Sequence, residues 1–211
     1  MTKQAIRNII LCLVFIVFAG STAYSALAAP TSGETLKNLM TAYNGESNAH
    51  ARYVAFAQKA DAEGFGQVAN LFRAAANAEE IHANNHAAVI KELGGAPAAD
   101  LKPVDVKTTK ENLEAAIKGE SYERDTMYPA FIKQAKEEKN REALRSFNYA
   151  ISAEGQHAVL YQGAFDNLAS LKGSKAAGYY VCAVCGATTA KLDFAKCPVC
   201  FNSKDKYAKV A

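Results

Sequence analysis

Tryptophan is absent from this chain, methionine occurs three times and proline five. Runs of β-branched residues are few, and alanine dominates the apolar fraction, a composition that favours helix over sheet. Charge of one sign is lacking as well. The 24 basic and 21 acidic residues leave +3, which gives no electrostatic case for nucleic acid or an anionic membrane surface as partner. The unbroken apolar run from Ile9 to Ala19 has eleven residues, where a membrane-spanning helix needs about 20. With 211 residues, half of them apolar, there is material for one good-sized domain and a small one.

The first residues read as an address. Lys3 and Arg7 precede the short apolar run, and Ala26-Leu27-Ala28 offers a small-residue cleavage site, the pattern of a secretory signal over 1–28. Cleavage after Ala28 leaves no stable membrane insertion and predicts a periplasmic protein; an uncleaved anchor is the alternative. Without Lys3 and Arg7 the mature chain carries +1. Cys12 lies inside the apolar run after Leu11, where a lipoprotein would want a small residue, so it reads as filler.

Four helical segments follow within 29–171. The spacing predicts helices from Gly33 to Glu63, Gln67 to Leu93, Thr108 to Glu138 and Asn140 to Leu171. Thr31 with Glu34 and Thr108 with Glu111 have capping-box spacing. Gly64, Gly66 and Gly94-Gly95 are stops, and Pro129 predicts a kink in the third helix. The first two helices are tightly joined, as are the last two, while Ala96–Lys107 makes a long crossover. Two hairpins with one crossover build a ferritin-like four-helix bundle. Lys172–Gly178 reads as a linker, and 179–211 as a second domain.

The bundle repeats itself. Gly45-Glu46-Ser47 returns as Gly119-Glu120-Ser121 at an offset of 74. Glu79-x-x-His82-Ala83 returns as Glu154-x-x-His157-Ala158 at 75, as do Tyr53 and Phe56 as Tyr128 and Phe131. The slip from 74 to 75 places one extra residue between Glu120 and Tyr128, which a helix commonly absorbs as a π-bulge.

Residues three apart share a helix face, so Glu79 and His82 point together, as do Glu154 and His157. With Glu46 and Glu120 they complete the set a dinuclear iron bundle requires: one Glu from each of two helices and Glu-x-x-His from each of the other two. A single Glu-x-x-His is commonly a solvated face. Here the pairs sit in apolar stripes (Phe72, Ala75, Ala76 and Ile81; Phe147, Ala150, Ile151 and Val159), where unpaired carboxylates are costly. Glu123 breaks the repeat, its counterpart being Ala49, and adds a carboxylate that can compete with His82 for one iron. Tyr53 and Tyr128, about two turns beyond Glu46 and Glu120, are placed to donate hydrogen bonds to ligands or simply to fill core. His50 and His86 read as structural or exposed.

Cys182-x-x-Cys185 and Cys197-x-x-Cys200 form two knuckles eleven residues apart. The loop between them is too poor in apolar residues for a core of its own, so the segment needs a metal to fold. Four thiolates suit iron or zinc, and in an oxidising compartment two disulfides are a further option.

With these residues in view, the chain resembles the rubrerythrins nearly end to end. The resemblance rests on Gly-Glu-Ser at 45–47, Ala-Glu-Glu-Ile-His-Ala at 78–83, Gly-Glu-Ser-Tyr-Glu at 119–123, Met-Tyr-Pro at 127–129 and Ala-Glu-x-x-His-Ala at 153–158. Glu123 is itself a mark of that family, and the terminal segment looks like its rubredoxin module. The resemblance implies a diiron centre at Glu46, Glu79, His82, Glu120, Glu123, Glu154 and His157, and one iron at Cys182, Cys185, Cys197 and Cys200. It implies reduction of hydrogen peroxide to water, electrons relayed through the cysteine-bound iron from an external donor protein, and a homodimer with one chain's cysteine domain beside the other's diiron site. Ferroxidase or oxygen-reductase chemistry, or plain iron binding and electron transfer, are the alternatives. Two features depart from the family. The export signal calls for a periplasmic donor, and Phe201 stands where a small residue is usual.

Overall fold

The computed structural model describes residues 33–211; the proposed signal, Cys12 and Thr31 lie outside them. Helix α1 (Gly33–Ala62) and helix α2 (Gly66–Glu92) form the first hairpin. It turns at Gly64, whose φ of +83° only glycine adopts without strain. Gly94, at +79°, ends α2 in the same way. The crossover is pinned to α1 by the side chains of Asn44 and Asn48, which bond the backbone of Asp100 and Lys102.

The third predicted helix comes in two pieces. Helix α3 (Thr109–Tyr122) gives way to a π-helical turn (Glu123–Met127), and helix α4 (Tyr128–Glu137) continues. The turn takes up the extra residue that the repeat places between Glu120 and Tyr128, and Pro129 lies at the start of α4 rather than inside a continuous helix. Its missing N–H falls where the ladder is already rearranged. The fourth predicted helix is also divided: α5 (Arg141–Asp166) ends at Asn167, and a single turn, α6 (Leu168–Leu171), follows.

The Thr108 cap is complete. Its hydroxyl accepts from Glu111 N–H at 3.3 Å, and the Glu111 carboxylate accepts from Thr108 N–H at 3.2 Å. Replacing Thr108 with Ala is expected to cost about 1 kcal/mol. In a protein of this size calorimetry should register that as a fall of about 2–4 °C in Tm; an unchanged Tm would mean the crossover, not the cap, fixes the start of α3.

Two apolar clusters sandwich a polar layer. Ala49, Tyr53, Phe56, Leu71, Phe72, Leu113 and Tyr161 belong to one; Leu39, Ala42, Ile90, Tyr128, Ala143, Phe147 and Ala150 to the other. Along every helix the carboxylates fall between them. On α1, Glu46 separates Ala42 from Ala49; on α5, Glu154 and His157 separate Ala150 from Tyr161.

After the linker, strands β1 (Tyr179–Cys182), β2 (Thr188–Thr189) and β3 (Tyr207–Val210) form an antiparallel sheet in the order β2-β1-β3. Val181 faces Thr188 on one side and Ala208 on the other. Tyr179 and Val181 join the first apolar cluster, which ties the small domain to the bundle. The architecture is a ferritin-like helical bundle with a small C-terminal four-cysteine unit. Among the described residues no helix is long and apolar enough to cross a membrane.

Candidate metal centres

Six side chains meet in the polar layer, none more than 1% exposed: Glu46, Glu79, His82, Glu120, Glu154 and His157. Their ligand atoms fall into two overlapping groups, each within 4.8 Å. Glu46, Glu79, His82 and Glu154 form one; Glu79, Glu120, Glu154 and His157 form the other. Glu79 and Glu154 belong to both. Each turns one oxygen to each histidine: Glu154 Oε1 lies 3.3 Å from His82 Nδ1 and its Oε2 3.1 Å from His157 Nδ1, while Glu79 Oε2 and Oε1 stand at 2.9 and 3.3 Å from the same atoms. Two bridging carboxylates, two terminal ones and two imidazoles define a pair of adjacent cation positions.

Both imidazoles face inward through Nδ1, and their Nε2 atoms face the cysteine domain. His82 Nε2–H donates to the carbonyl of Cys185 at 3.2 Å, and His157 Nε2–H to the hydroxyl of Thr188 at 3.0 Å. Such outward bonds fix the tautomer and ring orientation of a metal-binding histidine. A concentration of carboxylates this dry needs positive charge. Burial, then the neighbouring Glu79, pushes Glu120 up to about 8. Burial works against a charged His82, but Glu154 and Glu79 outweigh it and hold the ring protonated up to about 10.

The donor set fits divalent or trivalent iron. Glu46 Oε2, Glu79 Oε1, Glu120 Oε2, both oxygens of Glu154 and Nδ1 of His157 are buried and make no hydrogen bond. Left uncompensated, each costs about 1–3 kcal/mol or more; cations at the two positions would satisfy them together. Carboxylate with imidazole suits iron.

The tyrosines work crosswise. Tyr53 of α1 donates to Glu120 Oε1 of α3 at 2.5 Å, and Tyr128 of α4 donates to Glu46 Oε1 of α1. Glu123 stands at the start of the π turn, outside both groups, and it is His82 that completes the first of them. Burial, followed by Glu120, Glu154 and Glu79, drives the Glu123 carboxyl upward. His50 is structural, its Nδ1 on the carbonyl of Ala76 at 2.8 Å. His86 is more than that. It is fully buried, with Nε2 3.0 Å from the Tyr128 hydroxyl and Nδ1 2.7 Å from Ser146 Oγ, and burial together with His82 lowers it to about 3. Its place one turn beyond His82 was visible in the sequence, but the partner that matters, Ser146, comes from a different helix.

The four cysteines converge. Cys182 and Cys200 Sγ are 3.7 Å apart, Cys185 and Cys197 Sγ 3.6 Å, and no disulfide joins them. A metal with bonds of about 2.3 Å at the centre of a sulfur tetrahedron requires edges of about 3.7–3.8 Å. Cys182 is held down to about 5, chiefly by the Cys185 thiol beside it, while Cys185 moves up. Phe201 sits at φ +60° and is 72% exposed. The Cβ of any residue but glycine costs about 1–2 kcal/mol in that conformation, so glycine would be the easier occupant. The unit docks on its own chain's bundle: Asn85 Nδ2 donates to the Val184 carbonyl, Gln156 Oε1 accepts from Thr188 N–H, and Gly186 lies against the His82 ring.

The rubrerythrin family profile matches residues 37–165, which contain all six inward-facing carboxylate and imidazole side chains. This chain belongs to the rubrerythrin family. It is 37% identical to rubrerythrin-2 of Clostridium acetobutylicum over 82% of this chain and 98% of that one. Nigerythrin of Nitratidesulfovibrio vulgaris is 39% identical over 83% of this chain and 86% of its own. A solved structure of nigerythrin in a mixed-valence state superposes with a TM-score of 0.77 at 38% identity over 83% of this chain and 86% of that one; nigerythrin has also been solved fully reduced, all ferrous, with a TM-score of 0.76. As a rubrerythrin-family member the protein is an oxidoreductase with a diiron carboxylate centre in the bundle and an iron bound by the four cysteines.

Proposed function

We propose that the protein reduces hydrogen peroxide to two waters, consuming two electrons and two protons, with electrons delivered from the cysteine-bound iron to the diiron centre. The carrying observation is the direct bond between the two sites: the carbonyl of Cys185 accepts from Nε2–H of His82, whose Nδ1 faces the first cation position. When bound, the iron pair supplies the two electrons that cleave the O–O bond. The residues do the rest. Glu46, Glu79, His82, Glu120, Glu154 and His157 hold the ions. The aromatic clusters around Phe72 and Phe147 keep bulk water out on either side. Tyr53 and Tyr128 steady Glu120 and Glu46. Glu123, on the adaptable π turn, is the reserve carboxylate that exchanges with His82 at one position. The 1–28 signal supports a periplasmic protein served by a periplasmic donor, and the family supports a homodimer.

The test is anaerobic stopped-flow mixing of the dithionite-reduced protein with hydrogen peroxide or with oxygen, following the visible colour of the oxidised cysteine-bound iron. Peroxide is expected to restore the colour faster than oxygen. Gly186→Ala is expected to slow that return roughly tenfold or more, because the added Cβ would overlap the His82 ring, 2.7 Å from Cδ2, at a φ of +76° that resists a side chain. Faster oxidation by oxygen would favour the ferroxidase or oxygen-reductase reading. An unchanged rate in Gly186→Ala would remove the Cys185–His82 contact from the route.

A further inference from the structure

The two halves of the bundle are copies at an offset of 75, and behind the crosswise tyrosines they stop matching. The position 75 residues after His86 is Tyr161, which stands behind Tyr53 with ring centroids 5.6 Å apart and a buried hydroxyl that makes no hydrogen bond. Behind Tyr128 stand His86 and then Ser146, and the position 75 residues before Ser146 is Leu71. One tyrosine is therefore backed by a hydrogen-bonded chain, whereas its counterpart is backed by the packed Tyr161 ring, with the Arg52 guanidinium 5.4 Å over its own ring.

The direction of that chain is fixed by the donor inventory. A metal-binding carboxylate only accepts, so the Tyr128 proton goes to Glu46 Oε1. The Tyr128 oxygen then receives from His86, which requires the proton on Nε2. A neutral imidazole has one N–H, so Nδ1 is bare and accepts from the Ser146 hydroxyl at 2.7 Å. Three donors in series point at one ligand oxygen, each polarising the next, and all four residues are at most 4% exposed. The consequence falls on the other oxygen. With Oε1 of Glu46 engaged, Oε2 is the atom left without a hydrogen bond, and it is free for a metal.

We infer that His86 and Ser146 are positioning residues that orient Glu46 through Tyr128, and so make the metal position of Glu46, Glu79, His82 and Glu154 unequal to the one of Glu79, Glu120, Glu154 and His157. The inference rests on the two groups being metal positions; it does not require peroxide as the oxidant.

The readout is metal affinity. Anaerobic titration of the full chain, its cysteine site already loaded, with ferrous iron and near-infrared magnetic circular dichroism gives two stepwise dissociation constants. His86→Phe keeps the ring packing and loses both hydrogen bonds; it is expected to raise one constant about tenfold, the low end for a group behind a ligand, and leave the other unchanged. His86→Gln places an amide N–H near the old Nε2 and is expected to restore that constant to within about twofold. His86→Asn reaches only to Ser146 and is expected to behave like Phe. Should the ring variants fail to fold, Ser146→Ala, which removes one hydroxyl, is expected to raise the same constant by a smaller factor. The inference is overturned by wild-type constants in His86→Phe or in Ser146→Ala, by both constants rising together, or by a Gln variant no better than Phe. Absence of any peroxide reaction in the unaltered, iron-loaded protein, alongside the single-constant effect in the variants, would refute the proposed function and leave this inference standing.

Discussion

Glu154→Ala should empty both metal positions at once, whereas Glu46→Ala or Glu120→Ala should weaken only one. The reason is where Glu154 points. Its two oxygens lie 3.3 and 3.1 Å from the inward nitrogens of His82 and His157, and neither makes a hydrogen bond. Losing a group that merely orients a ligand costs 10–100-fold in affinity, so losing a bridging ligand should exceed about 100-fold at each position. By linkage a hundredfold loss removes about 2.7 kcal/mol of metal-dependent stability. Iron per chain, measured by emission spectroscopy, should fall from about three to about one, the cysteine-bound ion remaining. The shift in Tm on adding ferrous iron to the iron-free bundle should also vanish. A variant that keeps two bundle irons would show that Glu79 alone bridges.

The second large effect belongs to Cys185→Ser. Apart from Tyr179 and Val181, which pack on the bundle, the small domain's apolar core consists of three of its ligands, Cys182, Cys185 and Cys197, with Ala187. Structural zinc in zinc-finger peptides contributes about 10–16 kcal/mol at neutral pH, and a metal contribution on that scale is far more than so small a core can supply. Residues 179–211 should therefore unfold in the variant. Limited trypsin digestion should cut at Lys191, Lys196 and Lys204, while far-ultraviolet circular dichroism retains most of the helical signal. Tyr179 and Val181 would leave the first apolar cluster, so some loss of bundle stability should accompany it. The idea fails if 179–211 stays protease-resistant, which would mean that docking on α2 and α5, not the metal, holds the domain together.

The helices were legible because local rules set them. Gly64, Gly94, the Thr108 cap and Asn140 mark the ends within a residue or two. The Glu-x-x-His pairs were legible because three residues along a helix is a fixed geometry. The break in the third helix was legible as a count, one residue too many between Glu120 and Tyr128, but the count did not say that the π turn begins at Glu123 itself. The break at Asn167 left no such trace. Of the two readings the sequence leaves for His86, structural or exposed, burial selects the first, and its partner Ser146, 60 residues away, has no local trace in the sequence.

The sequence by itself determined the inventory: four helical segments in two hairpins, carboxylates and histidines in duplicate order with Glu123 as the extra one, two cysteine pairs with metal-binding spacing, and the family they resemble. These depend on period, capping and thiolate chemistry, which act over a few residues. Only the tertiary structure decided that Glu79 and Glu154 belong to both ligand groups, that Tyr53 and Tyr128 reach across to the opposite half, that Glu123 falls outside both groups, and that the cysteine domain rests on its own bundle. Each is a distance between elements far apart in the chain. It is set by how two apolar clusters close around one polar layer, and no local spacing carries that information.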